Sequence, residues 1–185
     1  NLLNEAAILA ARQNRKTVTQ DDLYDSIEKV LLGPERKGLV ISEREKKVTA
    51  YPEAGHALVA KFSPHADPVH KISIISRGRA GGYTLKLPIE DRHLRRKAEF
   101  IADLAVYLGG HVAEQDIFGD VTTGASHDLQ EATRLARKLI TEYGMSAHLA
   151  PRTFGEREDI MFLGRQNHAV RNYSEKPAES IDKEL

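Results

Sequence analysis

Apolar residues recur at helical spacing along most of this chain, and they alternate at strand spacing in only two short, neighbouring runs. A chain patterned in this way buries its apolar surface by packing helix on helix, with room for a hairpin and little more. The expected fold class is therefore mainly α with a small β-sheet or hairpin.

The helical segments can be bounded from their ends. Leu2, Ala6, Leu9 and Ala10 define a first helix over residues 1–13, and Arg15-Lys16 break it. Thr19 is placed to cap a second helix, with Asp21 and Asp22 in its first turn and Leu23, Ile27, Val30 and Leu31 as its apolar stripe. Gly33-Pro34 stop it. Two short amphipathic helices make little core alone, so residues 1–33 read as the tail of a neighbouring domain and residues 34–41 as a charged linker. Ser42 and Glu45 have capping-box spacing and open a helix to about Lys61, with Val48, Tyr51, Gly55, Leu58 and Phe62 on one face. Lys71–Ile75 and Tyr83–Leu87 are the two strand-like runs, separated by a glycine-containing loop. A long helix is expected over residues 91–108, with Leu94, Ala98, Ile101 and Leu108 inward, interrupted at Gly109-Gly110 and followed by a shorter helix. His93 and His111 on this stretch read as solvated. Ser126 then caps a helix over residues 127–143, and Gly144 ends it. Beyond Pro151 the periodicity fades.

Composition removes several function classes. Lys+Arg and Asp+Glu both number 27, so the chain has no net charge to attract nucleic acid or an anionic membrane surface. There is no cysteine, which excludes disulfides, thiolate zinc ligands and a cysteine nucleophile. A metal site would have to use Asp, Glu and the eight histidines. No apolar run approaches the roughly 20 residues of a membrane helix. The chain opens on Asn1-Leu2-Leu3 without an initiator Met, which reads as a soluble piece of a longer protein with any anchor elsewhere.

The segment Tyr51-Pro52-Glu53-Ala54-Gly55-His56 carries the chemistry. In an H-E-x-x-H helix, two histidines one turn apart bind zinc and the intervening glutamate acts as general base. Here Glu53 and His56 stand in register for the base and the second ligand, while Pro52 occupies the place of the first. The motif is incomplete, and by itself E-A-G-H is also what a surface glutamate and a packed histidine would look like. Asp128, in a helix first turn, is a carboxylate suited either to zinc or simply to the helix dipole.

The ordered set of motifs resembles the FtsH-type ATP-dependent zinc metalloproteases. Asn4-Glu5-Ala6-Ala7 and the two following helices resemble the end of an AAA+ ATPase lid, and Gly33-Pro34-Glu35-Arg36-Lys37 resembles the linker into the peptidase. Ala50-Tyr51-x-Glu53-Ala54-Gly55-His56-Ala57 resembles the zinc helix except at Pro52. His70-Lys71-Ile72-Ser73-Ile74-Ile75 with Gly82-Tyr83 resembles the substrate-side strand. Leu87-Pro88-Ile89-Glu90-Asp91-Arg92, Leu108-Gly109-Gly110, Phe118-Gly119, Thr122-Thr123-Gly124-Ala125-Ser126-His127-Asp128-Leu129, Glu142-Tyr143-Gly144-Met145-Ser146 and Phe162-Leu163-Gly164-Arg165 follow in family order.

That resemblance implies a zinc peptidase domain over residues 42–185, C-terminally truncated, preceded by two lid helices over residues 1–33. It implies Glu53 as catalytic base, with His56 and Asp128 as zinc ligands. ATP and Mg2+ would bind an AAA+ module outside this chain. Unfolded or misfolded and regulatory proteins would be the substrates, and the whole protein would form a homo- or hetero-hexamer. An upstream segment would anchor it in a bacterial inner membrane or an organelle membrane, with this domain on the cytoplasmic, matrix or stromal side. No nucleic-acid partner is expected.

Pro52 departs from the family pattern, and its consequences are physical. Proline has no donor atom, so two protein ligands remain where catalytic zinc normally has three. It also removes a helix hydrogen bond and crowds the carbonyl of Val48, at a cost of about 3 kcal/mol. The expectation is a retained fold, a kink over residues 48–52, and zinc bound weakly or not at all. Pro52 is then a recent or engineered change in an active protease, the mark of a natural pseudoprotease subunit with an assembly or unfolding role, or a change compensated by His65 or His127. The strand at 72–75 could bind extended substrate by strand addition, or could merely cover the helices.

Overall fold

A computed structural model of the chain describes residues 2–35, 41–77, 81–88, 93–157, 169–170 and 172–185. The mainly helical architecture with a small sheet is as expected. The linker positions 36–40, the loop positions 78–80, positions 89–92 and the Phe162-Leu163-Gly164-Arg165 segment lie outside the described residues, and the long helix expected from residue 91 starts only at Lys97.

Two helices come first, α1 (Leu2–Arg12) and α2 (Gln20–Leu32). Thr19 caps α2 as its sequence suggests: the Asp22 backbone N–H bonds the Thr19 hydroxyl oxygen, and the Asp22 carboxylate accepts from the Thr19 N–H at 2.8 Å. Ala6 and Ala10 are buried on α1 as expected. On α2 the buried residues are polar instead, namely Asp22, Ser26 and Glu28, while Val30 and Leu31 are exposed. Charge pairing is the reason. Arg15 grips Asp22 with two bonds, and that guanidinium holds the carboxyl well below the usual carboxylate range.

The helix α3 (Glu43–Phe62) starts from Ser42, whose hydroxyl accepts from the Glu45 N–H at 3.2 Å, and runs on through Pro52 to Ser63. Its inward face differs from the one read in sequence. Gly55, His56, Ala57 and Ala60 are buried, and Tyr51, Leu58 and Phe62 are exposed. The hairpin pairs β1 (Val69–Ser73) with β2 (Tyr83–Lys86) antiparallel, with an irregularity between Val69 and Lys71. The first strand thus begins and ends two residues earlier than expected.

The long helix α4 (Lys97–Phe118) is continuous, and Gly109-Gly110 do not interrupt it. Its buried face is Phe100, Ala102, Val106, Gly109, Gly110 and Glu114, whereas Leu94, Ala98, Ile101 and Leu108 are exposed. The two glycines mark where α3 crosses. A Cβ on Gly55 would lie 2.5 Å from the Gly109 carbonyl oxygen, and one on Gly109 would lie 2.9 Å from Val59 Cγ2. Missing side chains allow this contact, which an apolar-periodicity reading cannot see because glycine scores as a gap. Nor is His111 fully solvated, since its Nδ1 is buried without a hydrogen-bond partner.

A 3-10 turn (Thr123–Ala125) leads directly into α5 (Ser126–Thr141). Ser126 is inside the helix rather than its cap, and the side chain of Thr122 caps the turn instead by accepting from the Gly124 N–H. After Gly144, which has φ +61, come a minimal hairpin, β3 (Glu156–Arg157) with β4 (Ala169–Val170), and a last helix, α6 (Glu175–Glu184). Ile140, Phe154 and Ile181 form a core there, with Leu149 and Tyr173 against it. Among the described residues no helix is long and apolar enough to cross a membrane.

Candidate active site

Position 56 and position 128 are far apart in the chain, and the packing of α3 and α5 against α4 brings them together. His56 Nε2 lies 3.2 Å from Asp128 Oδ2. A tetrahedral zinc with bonds of about 2.0–2.2 Å sets its donors roughly 3.3–3.5 Å apart, so these two atoms have the spacing of neighbours on one ion. Both face a cavity of about 550 Å³ that is also lined by Pro52, Glu53, Thr84, Lys86, Tyr107 and Glu114.

The His56 ring is fixed from two sides. Its Nδ1 is 2.7 Å from the Val106 carbonyl oxygen, which can only accept, so Nδ1 carries the proton and donates. Nε2 is thereby directed into the cavity. Gly110 makes the space: a Cβ there would lie 2.4 Å from Nε2 and 2.5 Å from Cε1. Burial would pull the imidazole pKa down, but the bonds to Asp128 and to the Val106 carbonyl, with the charges of Asp128 and Glu53, outweigh it and raise the pKa.

Glu53 sits one helical turn before His56. Thr84 on β2 donates its hydroxyl to Glu53 Oε2 at 2.6 Å. Gly82 lets the strand close in, since a Cβ there would come within 3.2 Å of Glu53 Cγ and 2.6 Å of Thr49 Cγ2. Burial raises the Glu53 pKa, the Thr84 bond and His56 oppose this, and Asp128 adds to it, with a net upward result.

Asp128 is delivered by the turn before α5, and α4 holds that turn. Glu114, only 1% exposed, accepts from the Thr122 N–H at 3.0 Å and the Thr122 hydroxyl at 2.8 Å.

The donors present supply two positions of a metal site and not three. Pro52, which carries no donor atom, also lines the cavity. Among the described residues no group of three or more His, Cys, Asp or Glu side chains could hold a metal ion. His127 lines the same cavity but does not complete such a group, and exposed His65 lies in the loop after α3, away from the cavity lining. The residues therefore do not fit a complete catalytic zinc site.

Sequence reasoning brought out Glu53, His56 and Asp128 and missed their supports. Thr84, Gly110, Glu114 and the Val106 carbonyl carry no local signature. The paired glycines were the one available signal.

Helices packed so that His and Asp from two of them meet at a cavity beside a supported glutamate are the scaffold of a helical metallopeptidase. The profile of peptidase family M41 matches residues 39–185, and the chain belongs to that family. It is 56% identical over all 185 residues to "ATP-dependent zinc metalloprotease FtsH 1" of Sphaerobacter thermophilus, covering 28% of that protein. It is likewise 56% identical over 185 residues to the protein of the same name from Thermomicrobium roseum, again 28% of its length. The "ATP-dependent zinc metalloprotease FtsH" of Veillonella parvula is 50% identical over 185 residues, with 29% of its length covered. The chain thus spans under a third of the curated relatives it matches.

Proposed function

We propose that this chain is the peptidase portion of an ATP-dependent, membrane-anchored zinc metalloendopeptidase that degrades misfolded and regulatory proteins, and that Pro52 leaves its zinc site one ligand short. Residues 1–33 are the end of the ATPase lid, residues 34–41 the linker, and residues 42–185 the peptidase domain. ATP and Mg2+ belong to a module beyond this chain, and the whole assembles as a hexamer. The single observation that carries the reading is the 3.2 Å approach of His56 Nε2 to Asp128 Oδ2 beside Glu53.

His56 and Asp128 are the remaining ligands and Glu53 is the base. With a third ligand beside His56 and Asp128, a bound zinc would supply Lewis acidity there, and Glu53 would be placed to take a proton. Losing an imidazole that bonds the metal directly costs more than the 10–100-fold in affinity typical of losing an outer-shell partner. The groups around Pro52 are themselves held in place. Val106 and Gly110 still orient His56, Thr84 still holds Glu53, and Glu114 still fixes the turn before Asp128. The surrounding sequence motif, otherwise intact, favours a recent or engineered change over long-standing loss of activity.

The test is zinc stoichiometry and cleavage of an unfolded protein, measured on this chain and on Pro52→His. Recovery of one zinc per chain and of cleavage in the variant, with neither in the original, is the expected result. A variant that binds no zinc would overturn the assignment of His56 and Asp128 and favour a pseudoprotease subunit with an assembly or unfolding role.

A further inference from the structure

Glu28 of α2 is 1% exposed, and among the described residues the donors that reach it come from the hairpin region. Lys71 Nζ lies at 2.6 Å, the Tyr83 hydroxyl at 2.8 Å and Arg77 Nη2 at 3.0 Å. Burial would raise the Glu28 pKa, but the Lys71 and Tyr83 bonds and the charges of Lys71 and Arg77 overcome it and lower the pKa. The buried carboxylate is thus ionised and fully engaged. Residues 1–38 precede the span that the family profile matches, so that match assigns Glu28 no role.

The hairpin passes between α2 and α3. Tyr83 and Thr84 are consecutive on β2, so their side chains leave opposite faces of the strand. Tyr83 reaches back to Glu28, and Thr84 reaches forward to Glu53 at 2.6 Å. The register agrees: Lys71 pairs with Leu85 and Ser73 with Tyr83, placing Lys71 on the same face as Tyr83. Among the described residues β2 has β1 as its only strand neighbour. That neighbour is itself tied to α2, by Lys71 and by the Tyr24–His70 ring contact at 4.6 Å. The hairpin packs on α3 as well, and its side-chain bonds to α2 bias where the Thr84 hydroxyl sits against Glu53.

We propose that Glu28 is a positioning residue for Glu53, acting through Tyr83 and Thr84. The first two helices anchor β2 so that the Thr84 hydroxyl meets the Glu53 carboxylate, and a displacement of those helices loosens that bond. The meaning of this for peptide hydrolysis rests on the proposed function, while the tether itself does not.

The experiment compares the 185-residue chain with Glu28→Ala, Glu28→Gln and Tyr83→Phe by amide hydrogen exchange and by the NMR resonance of the Thr84 methyl group. Glu28→Ala is expected to raise exchange about tenfold in residues 69–73 and 83–86, the size of one lost buried hydrogen bond, and to leave α4 and α5 unchanged. It also shifts the Thr84 resonance. Glu28→Gln keeps an acceptor for Tyr83 and has a smaller effect, and Tyr83→Phe, which leaves Glu28 in place, moves the same signals in the same direction. In the Pro52→His background, Glu28→Ala and Thr84→Val each lower kcat about tenfold with KM retained, and the double variant falls no further, because both act on one bond.

A Thr84 resonance unmoved by both Glu28→Ala and Tyr83→Phe would overturn the proposal, as would exchange rising evenly over α4 and α5 or additive losses in the double variant. Should Pro52→His fail to recover zinc or cleavage, the functional reading falls, and exchange together with the Thr84 signal still decides the tether.

Discussion

The α1–α2 pair and the α3–α4 crossing are both helix packings, but they are held by different physics. The first buries charge. Asp22 is gripped by Arg15, Lys29 pairs with Glu5, and Glu28 faces Lys71, Arg77 and Tyr83. The second brings backbone against backbone at its centre, with Gly55 against Gly109, and sets Gly110 against the His56 ring. Buried charges need well-placed partners and depend on ionisation. Glycine contacts are indifferent to pH but tolerate no added volume. The α3–α4 crossing has the rigid kind of contact, and the first two helices have the kind that a change of pH can loosen.

Acid should separate the two regions most strongly. Arg15 and the Thr19 cap lower the Asp22 pKa, and Lys71, Tyr83 and Arg77 lower that of Glu28. A carboxylate whose folded pKa lies below its unfolded value contributes stability that is complete above the unfolded value of about 4 and is lost as pH falls through the folded one. Amide exchange from pH 7 down to pH 2.5 should therefore show α1, α2 and the hairpin losing protection while the α3–α4 crossing keeps it. Simultaneous loss in both regions would erase the distinction.

The next effect in size is at Pro52. Pro52→Ala restores a helix hydrogen bond without adding a ligand, and urea denaturation should show a gain of about 3 kcal/mol with zinc binding still absent. Gly55→Ala should lose about 2 kcal/mol in the same measurement, because its new methyl group meets the Gly109 carbonyl oxygen at 2.5 Å. A neutral result there would mean that the crossing is looser than its geometry. The smallest effect belongs to the first region: Thr19→Ala removes the cap of α2 and should cost about 1 kcal/mol.

Element existence was largely legible. Thr19 and Ser42 announced their helices, because a capping side chain acts on backbone within three residues. Element faces were not. On α4 the apolar residues Ile101 and Leu108 are exposed, and the packing face is made of Phe100, Ala102, Val106 and two glycines. Hydrophobic periodicity locates a face only where burial is by large side chains. Gly109-Gly110 were misread as a break because glycine weakens an isolated helix, and here the close approach of α3 outweighs that propensity. On the candidate site, Glu53 and His56 were legible because they lie one turn apart on one helix. Asp128 was found by family resemblance, and its spacing alone would have passed for a dipole-favoured acid.

The sequence by itself determined the helical class, the caps, the absence of thiol chemistry and the missing donor at Pro52, since each is a property of single residues or of neighbours within a turn. Only the tertiary structure decided that His56 and Asp128 meet, that Gly110 gives His56 its space, and that Glu28 and Glu53 grip opposite faces of one strand. Those contacts join residues 50 or more positions apart or on separate elements, and the packing of helices and hairpin, not local propensity, fixes such distances.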